Sequence, residues 1–194
     1  MTHPAHQLRA TELKRLHRTW RRRSTYRLAL LLDNVGNPYN VGSISRSAAA
    51  FGVDTLYVTG SSSFPRNPKA AKTALGTDRY LTWAEHPTVV AGALAARADG
   101  YHVVGVELAE PASPLADLDL ARDVCLVLGH EDHGISATGL AACDAVGYIP
   151  LVGRVGSLNV ATAAAIACYE TRRQDWSTTT ASPAGASRPD AEPT

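Results

Sequence analysis

Five short apolar runs constrain this chain most: 28–34 (LALLLDN), 54–60 (DTLYVTG), 101–108 (YHVVGVEL), 123–130 (DVCLVLGH) and 145–151 (AVGYIPL). Most are continuous rather than alternating, as strands covered on both faces are. The segments between them at 40–51, 86–99, 136–143 and 157–173 read as helices. Their Ala, Gly and Ser content suits close helix-on-sheet contact. Strand and helix alternating at this spacing predict an α/β fold, a parallel sheet with helices on both faces. At 194 residues and 45% hydrophobic, the chain suffices for one such domain with a real core.

The charge is unevenly placed. Residues 1–27 hold eight Lys or Arg against one Glu, a balance of +7; residues 28–194 hold eleven against seventeen, −6, within an overall +1. Leu13, Leu16 and Trp20 recur at helical spacing in that arm, with Lys14, Arg15, Arg18, Arg21, Arg22 and Arg23 around them. Such a run is ordinarily a solvated face. With its apolar stripe docked on the body, this one also offers a handle for a polyanion, most simply a nucleic acid. The expected organisation is therefore a basic helical arm (1–27), a body (28–175) and a Ser/Thr/Pro/Ala-rich disordered tail (176–194).

Several classes are disfavoured. No apolar run approaches the roughly 18 residues of a membrane span, and the N-terminus has no apolar signal region. Cys125, Cys143 and Cys168 are odd in number and far apart, as reduced thiols of a cytoplasmic protein are. His130 and His133 flank an acid but lack a third ligand, so no metal is expected. Neither G-x-G-x-x-G nor a P-loop with its lysine is present, which counts against dinucleotide and nucleoside-triphosphate enzymes.

In doubly wound sheets ligands bind beyond the carboxyl ends of the strands. The loops expected there are DNVGNPYN, ELAEPASP, GHEDHG and PLVGRVGSLN. Asn40 and Ser157 each read as N-caps opening a helix. Arg46 is a lone charge on a helix of small residues, and Glu131 is a carboxylate in a glycine-bounded loop.

Three segments together resemble the SpoU/TrmH family of RNA ribose 2′-O-methyltransferases, within the SPOUT, or α/β-knot, group. NPYNVGSISRSAAAFGV matches its Asn-x-x-x-x-x-Arg motif, and LVLGHEDHGIS (126–136) its Leu-Gly-x-Glu-x-x-Gly-Ile motif. IPLVGRVGSLNVATAAAIACYE (149–170) matches its Ile-Pro-x-x-Gly-x-x-x-Ser-Leu-Asn-Val motif. KTALGTDRYLTW is similar to the glycine-containing segment after that family's second strand. The likeness spans 28–175 and comes closest in layout to the tRNA guanosine-18 members.

The resemblance implies a C-terminal trefoil knot, S-adenosylmethionine as cofactor, a homodimer with the active site completed across its interface, and RNA as substrate. Transfer RNA is the first choice and ribosomal RNA the alternative. It places cofactor contacts at Val106, Glu107, Leu108, Gly129, Ile149, Leu151, Ser157 and Leu158. Catalytic roles fall to Arg46, Asn40, Glu131, Ser157 and Asn159, with Arg46 also contacting RNA. A guanidinium, with a pKa above about 12, gives up a proton reluctantly. Arg46 is therefore better read as a fixed cation beside the developing 2′-oxyanion than as a base. The reading from another class is a non-catalytic RNA-binding protein that keeps the fold.

Overall fold

The computed structural model describes residues 6–63 and 68–181. Its centre is the first apolar run: all six residues of strand β1, Leu28–Asp33, are buried. Around it β2 (Thr55–Thr59), β3 (Thr82–His86), β4 (His102–Val106), β5 (Ser113–Pro114), β6 (Val124–Leu128) and β7 (Ala145–Tyr148) complete a seven-stranded sheet among the described residues. The order is β3-β2-β1-β6-β4-β7-β5, and every pairing is parallel. Leu30 lies opposite both Leu56 and Leu126, so three of the apolar runs form neighbouring strands at the centre of the sheet.

Period-two alternation along β1 divides the core into two layers. Leu28, Leu30 and Leu32 face α2 (Pro38–Ala50), through Val41, Ile44 and Ala48, and α6 (Val160–Ala181), through Val160, Ala164, Ala167 and Cys168. Ala29 and Leu31 face α4 (Val89–Ala98), through Val89, Ala93 and Ala96. A short α5 (Ala137–Ala141) joins that second layer. Its N-cap Ser136 donates its backbone N–H to the buried Asp33 at 2.8 Å, tying it to the end of β1. Helices thus cover both faces, as the alternation predicts.

Four expectations are corrected. The β2–β3 connection holds α3 (Pro68–Ala74) and a 3₁₀ turn, Thr77–Tyr80, and leads to an edge strand the apolar runs do not reveal. Helix α2 begins at Pro38 with Asn37 as N-cap, its side chain accepting from the Tyr39 N–H at 2.9 Å; Asn40 lies within the first turn. Helix α6 begins at Val160, and Asn159 rather than Ser157 caps it, accepting from the N–H groups of Ala161 (2.9 Å) and Thr162 (3.3 Å).

The fourth correction is that α6 does not stop at 173 but runs to Ala181, into the segment expected as a tail. The extension is anchored. Buried Asp175 accepts from the Thr25 N–H at 3.0 Å, and the Trp176 indole N–H donates to Ser24 Oγ at 2.9 Å. Within it Ser177 and Thr178 satisfy their hydroxyls on the carbonyls of Arg173 and Asp175, which lets polar residues continue a helix. Residues 182–194, the rest of the expected tail, lie outside the described residues.

The basic arm contains α1, Ala10–Arg23, none of whose residues is buried. Its apolar stripe meets the body through Trp20, which packs on Trp176 with ring centroids 4.7 Å apart, while Leu13 and Leu16 remain exposed.

Candidate functional site

The site is built where β4, β6 and β7 end. After β6 the chain doubles back on itself. The N–H of His130 donates to the Gly134 carbonyl and the N–H of Gly134 to the His130 carbonyl, each at 2.9 Å. Only glycine fits at the two ends of this fold-back. A Cβ on Gly129 would lie 2.0 Å from the Gly134 carbonyl carbon, and Gly134 has φ of +66°.

Glu107, just past β4, fastens the loop. Its carboxylate accepts from the N–H of Ile135 at 2.9 Å and of Leu108 at 3.0 Å. Gly134 passes directly beside that carboxylate, where a Cβ would sit 2.3 Å from Oε2.

The fold-back, the end of β4, the 149–158 segment and the first turn of α6 enclose a cavity of about 290 Å³. Val106, Glu107, Leu108, Gly129, Ile149, Leu151, Ser157 and Leu158 all line it. So do Glu131, Asp132, His130 and His133. The lining therefore combines apolar surface from Ile149, Leu151 and Leu158 with three carboxylates. Its size is at the lower end for small-molecule sites.

Glu131, Asn40 and Asn159 form a chain beside this cavity. Asn159 Oδ1 is committed to capping α6, so its amide nitrogen is left to donate to Asn40 Oδ1, at 3.0 Å. That fixes Asn40 in turn, and its Nδ2 donates to Glu131 Oε1 at 2.9 Å, where the Asn37 N–H also arrives at 3.1 Å. The start of α6 thereby dictates the orientation of two amides and ends on a carboxylate that receives donors only. Burial works against the charged form of Glu131. The Asn40 amide, its own backbone N–H, the Asn37 N–H and nearby His130 outweigh burial, holding the carboxyl below its usual value of 4.5. Asn37 escapes sequence reasoning, although Asn followed by Pro at the first helical position is a helix-start signature.

Ser157 lines the cavity but makes no cap. Arg46 stands apart from both. It is exposed on α2, six residues beyond Asn40, hence about 9 Å along the helix and about 120° around it. It does not line the cavity of its own chain. His130 and His133 stack with centroids 4.8 Å apart, and His130 Nδ1 accepts from the Asp132 N–H. No group of three metal-ligating side chains exists among the described residues. Burial pushes the Cys168 thiol up to about 12 and that of Cys143 to about 11, so neither is poised as a nucleophile.

On the arm, Lys14, His17, Arg18 and Arg21 line a surface depression of about 230 Å³. Arg23 lies over the Trp20 ring at 4.5 Å, while Arg15 and Arg22 are exposed.

Known proteins share this fold. The model of the SpoU rRNA methylase family matches residues 27–169. The chain belongs to that family. Its relatives include the 23S rRNA (guanosine-2′-O-)-methyltransferase RlmB of Acinetobacter baylyi, 35% identical over 76% of this chain and 60% of the relative. The tRNA (guanosine(18)-2′-O)-methyltransferase of Escherichia coli is 31% identical over 76% of this chain and 63% of its own. The chain thus spans about three fifths of the length of these relatives.

Among solved SpoU structures, AviRb from Streptomyces viridochromogenes in complex with the cofactor AdoMet superposes with a TM-score of 0.69 at 33% identity, covering 76% of this chain and 57% of that one. The A. aeolicus TrmH/SpoU tRNA modifying enzyme superposes with a TM-score of 0.69 at 26% identity, covering 91% and 90% of the two chains. The SpoU fold, and the knot implied with it, rest on these likenesses together with the parallel sheet.

Proposed function

We propose that this protein transfers a methyl group from S-adenosylmethionine to a ribose 2′-hydroxyl of structured RNA, as a homodimer, with guanosine 18 of tRNA as its first-choice target. One observation carries this reading: the eight residues expected at the cofactor, drawn from separate stretches of the chain, line a single cavity, and the Asn159–Asn40–Glu131 chain ends at its wall. The cavity's chemistry fits the cofactor. Ile149, Leu151 and Leu158 suit a purine, and Glu131 and Asp132 offset a cationic sulfonium. S-adenosylmethionine supplies an electrophilic methyl group.

The protein's part is positioning and electrostatics. The 129–135 fold-back and the 149–158 segment hold the methyl donor by backbone and apolar contact. Glu131, kept ionised by Asn40 and Asn37, orients the incoming ribose. Arg46, as a fixed cation, would steady the RNA phosphate and the 2′-oxyanion that develops as the hydroxyl proton passes to solvent. Because Arg46 stands outside its own chain's cavity, the reading assigns it to the cavity of the other protomer.

The tRNA reading is supported by the basic α1 and by a likeness to the A. aeolicus tRNA modifying enzyme that extends over 91% of this chain, beyond the family domain. The likeness to RlmB favours ribosomal RNA as the second reading. Incubation with labelled S-adenosylmethionine and, separately, unfractionated tRNA and rRNA, followed by mapping of the methylated nucleotide, tests both. The tRNA reading requires label in tRNA at guanosine 18. Label confined to rRNA selects the second reading, and cofactor binding without transfer to any RNA refutes the enzyme.

A further inference from the structure

Between α3 and β3 the chain holds apolar side chains out in solvent on a strained backbone. Leu75 has φ of +53°, a conformation a leucine adopts at a cost, yet its side chain is 66% exposed. Gly76 follows with φ of +74° and open space around its Cα. Tyr80, in the 3₁₀ turn, is 63% exposed. It is not loose: Arg79 lies 4.8 Å from the ring centroid and donates to the Tyr80 hydroxyl at 2.7 Å. An exposed ring held by a guanidinium is the form of a stacking platform, not of a core residue.

The platform lies against α2. A Cβ on Gly42 would be 2.5 Å from the Ala70 carbonyl oxygen, so α2 and α3 touch along this line. Tyr39 and Arg46, at i−3 and i+4 from Gly42, share that helix face and are both exposed. The 3₁₀ turn contacts α2 as well. Lys69, Lys72 and Arg79 add positive charge, α2 has no acid, and Asp78 is the only acidic residue in 68–80. Such a surface attracts a polyanion.

We propose that Leu75–Tyr80 is an RNA base-stacking site: Tyr80, clamped by Arg79, takes one unstacked nucleobase of the substrate, and Leu75 wedges beside it. Seating that base presents the neighbouring ribose-phosphate to Arg46. Aromatic and guanidinium planes are how proteins hold splayed-out bases of single-stranded RNA. The inference rests on the RNA-methyltransferase reading and names a substrate contact for it.

Methyl transfer to unfractionated tRNA and quenching of a single-stranded 2-aminopurine oligoribonucleotide test it in the full chain. Tyr80→Ala should raise the RNA KM about ten-fold or more and abolish the quench, with S-adenosylmethionine affinity unchanged. Tyr80→Trp should restore both, and Leu94→Ala, an equally exposed apolar change on α4, should alter neither. A Tyr80→Ala variant with wild-type KM and quench overturns this inference alone. Loss of a dimer in that variant overturns it by assigning the patch to a protein partner. Failure of the wild type to methylate or bind any RNA overturns it together with the reading beneath it.

Discussion

Replacing Gly129 by alanine puts a methyl carbon 2.0 Å from the Gly134 carbonyl carbon, 2.1 Å from the Ile135 nitrogen and 2.3 Å from the Gly134 oxygen. Ordinary contact begins at 3.4 Å. The obstacle is backbone, so no side-chain rotation relieves it, and the 130–135 segment must move by about 1 Å or more. That segment is pinned by the paired His130–Gly134 hydrogen bonds and by Glu107 accepting from the Ile135 N–H. Overpacking of this kind costs about 1–3 kcal/mol, and losing one or two hydrogen bonds adds about 1 kcal/mol each. A total of about 2–5 kcal/mol lowers Tm by roughly 4–20 °C in a domain of this size. The same displacement moves the cavity wall, and about 1 Å of misplacement is worth about 100-fold in a positioned reaction. Calorimetric titration with S-adenosylmethionine, run beside a thermal melt, should show both the fall in Tm and a loss of affinity of about ten-fold or more. A folded Gly129→Ala variant with wild-type affinity would refute the cavity as the cofactor site.

The amide chain, the Glu131 carboxyl and the basic arm each make a separate demand. Asn40→Ala should cut methyl transfer with little change in Tm, whereas Asn159→Ala should also lose about 1 kcal/mol of stability as a cap; in kcat/KM the double variant should fall short of the sum, and strict additivity would separate the two amides functionally. Because the folded-state pKa of Glu131 is depressed, its contribution to stability is present above the ordinary glutamate value of 4.5 and is lost as pH falls through the lower folded value. The stability difference between wild type and Glu131→Gln should therefore be flat above about pH 5 and shrink only below it, and shrinkage beginning near neutrality would contradict the assigned donors. Deleting residues 1–23 should weaken RNA binding and flatten its salt dependence by about 0.9 for every phosphate the arm neutralises, while an unchanged slope would reduce the arm to packing.

The parts of the fold written in hydrophobic composition are legible in the sequence. β1 and β6 are buried throughout, so their runs stand out. Among the described residues β3 is an edge strand paired only with β2, with Thr82 and Glu85 exposed, and it leaves no apolar run to read. β5 is two residues held by backbone pairing to β7. The last turns of α6 look like a tail because Ser177 and Thr178 are polar. What holds the helix there is long-range: Asp175 to Thr25, and Trp176 to Ser24.

The site divides the same way. Val106, Leu108, Ile149 and Leu158 carry no local chemical signal, because what they supply is backbone and apolar surface, and only the motif likeness singles them out. Asn40 and Ser157 are misplaced as caps because both sit near real helix starts. Which residue caps is decided by where the backbone turns, at Asn37 and Asn159. Arg46 is legible as an oddity, a permanent charge on a packing helix. Its distance from its own cavity is not.

The most direct test is nucleoside mass spectrometry of tRNA incubated with S-adenosylmethionine and either the wild type or Arg46→Ala. The expected result is 2′-O-methylated ribose with the wild type and none with Arg46→Ala, whose cofactor affinity should be unchanged. Methyl groups on a base, no methylation by the wild type of any RNA, or equal 2′-O-methylation by the two proteins would contradict a ribose methyltransferase built around Arg46.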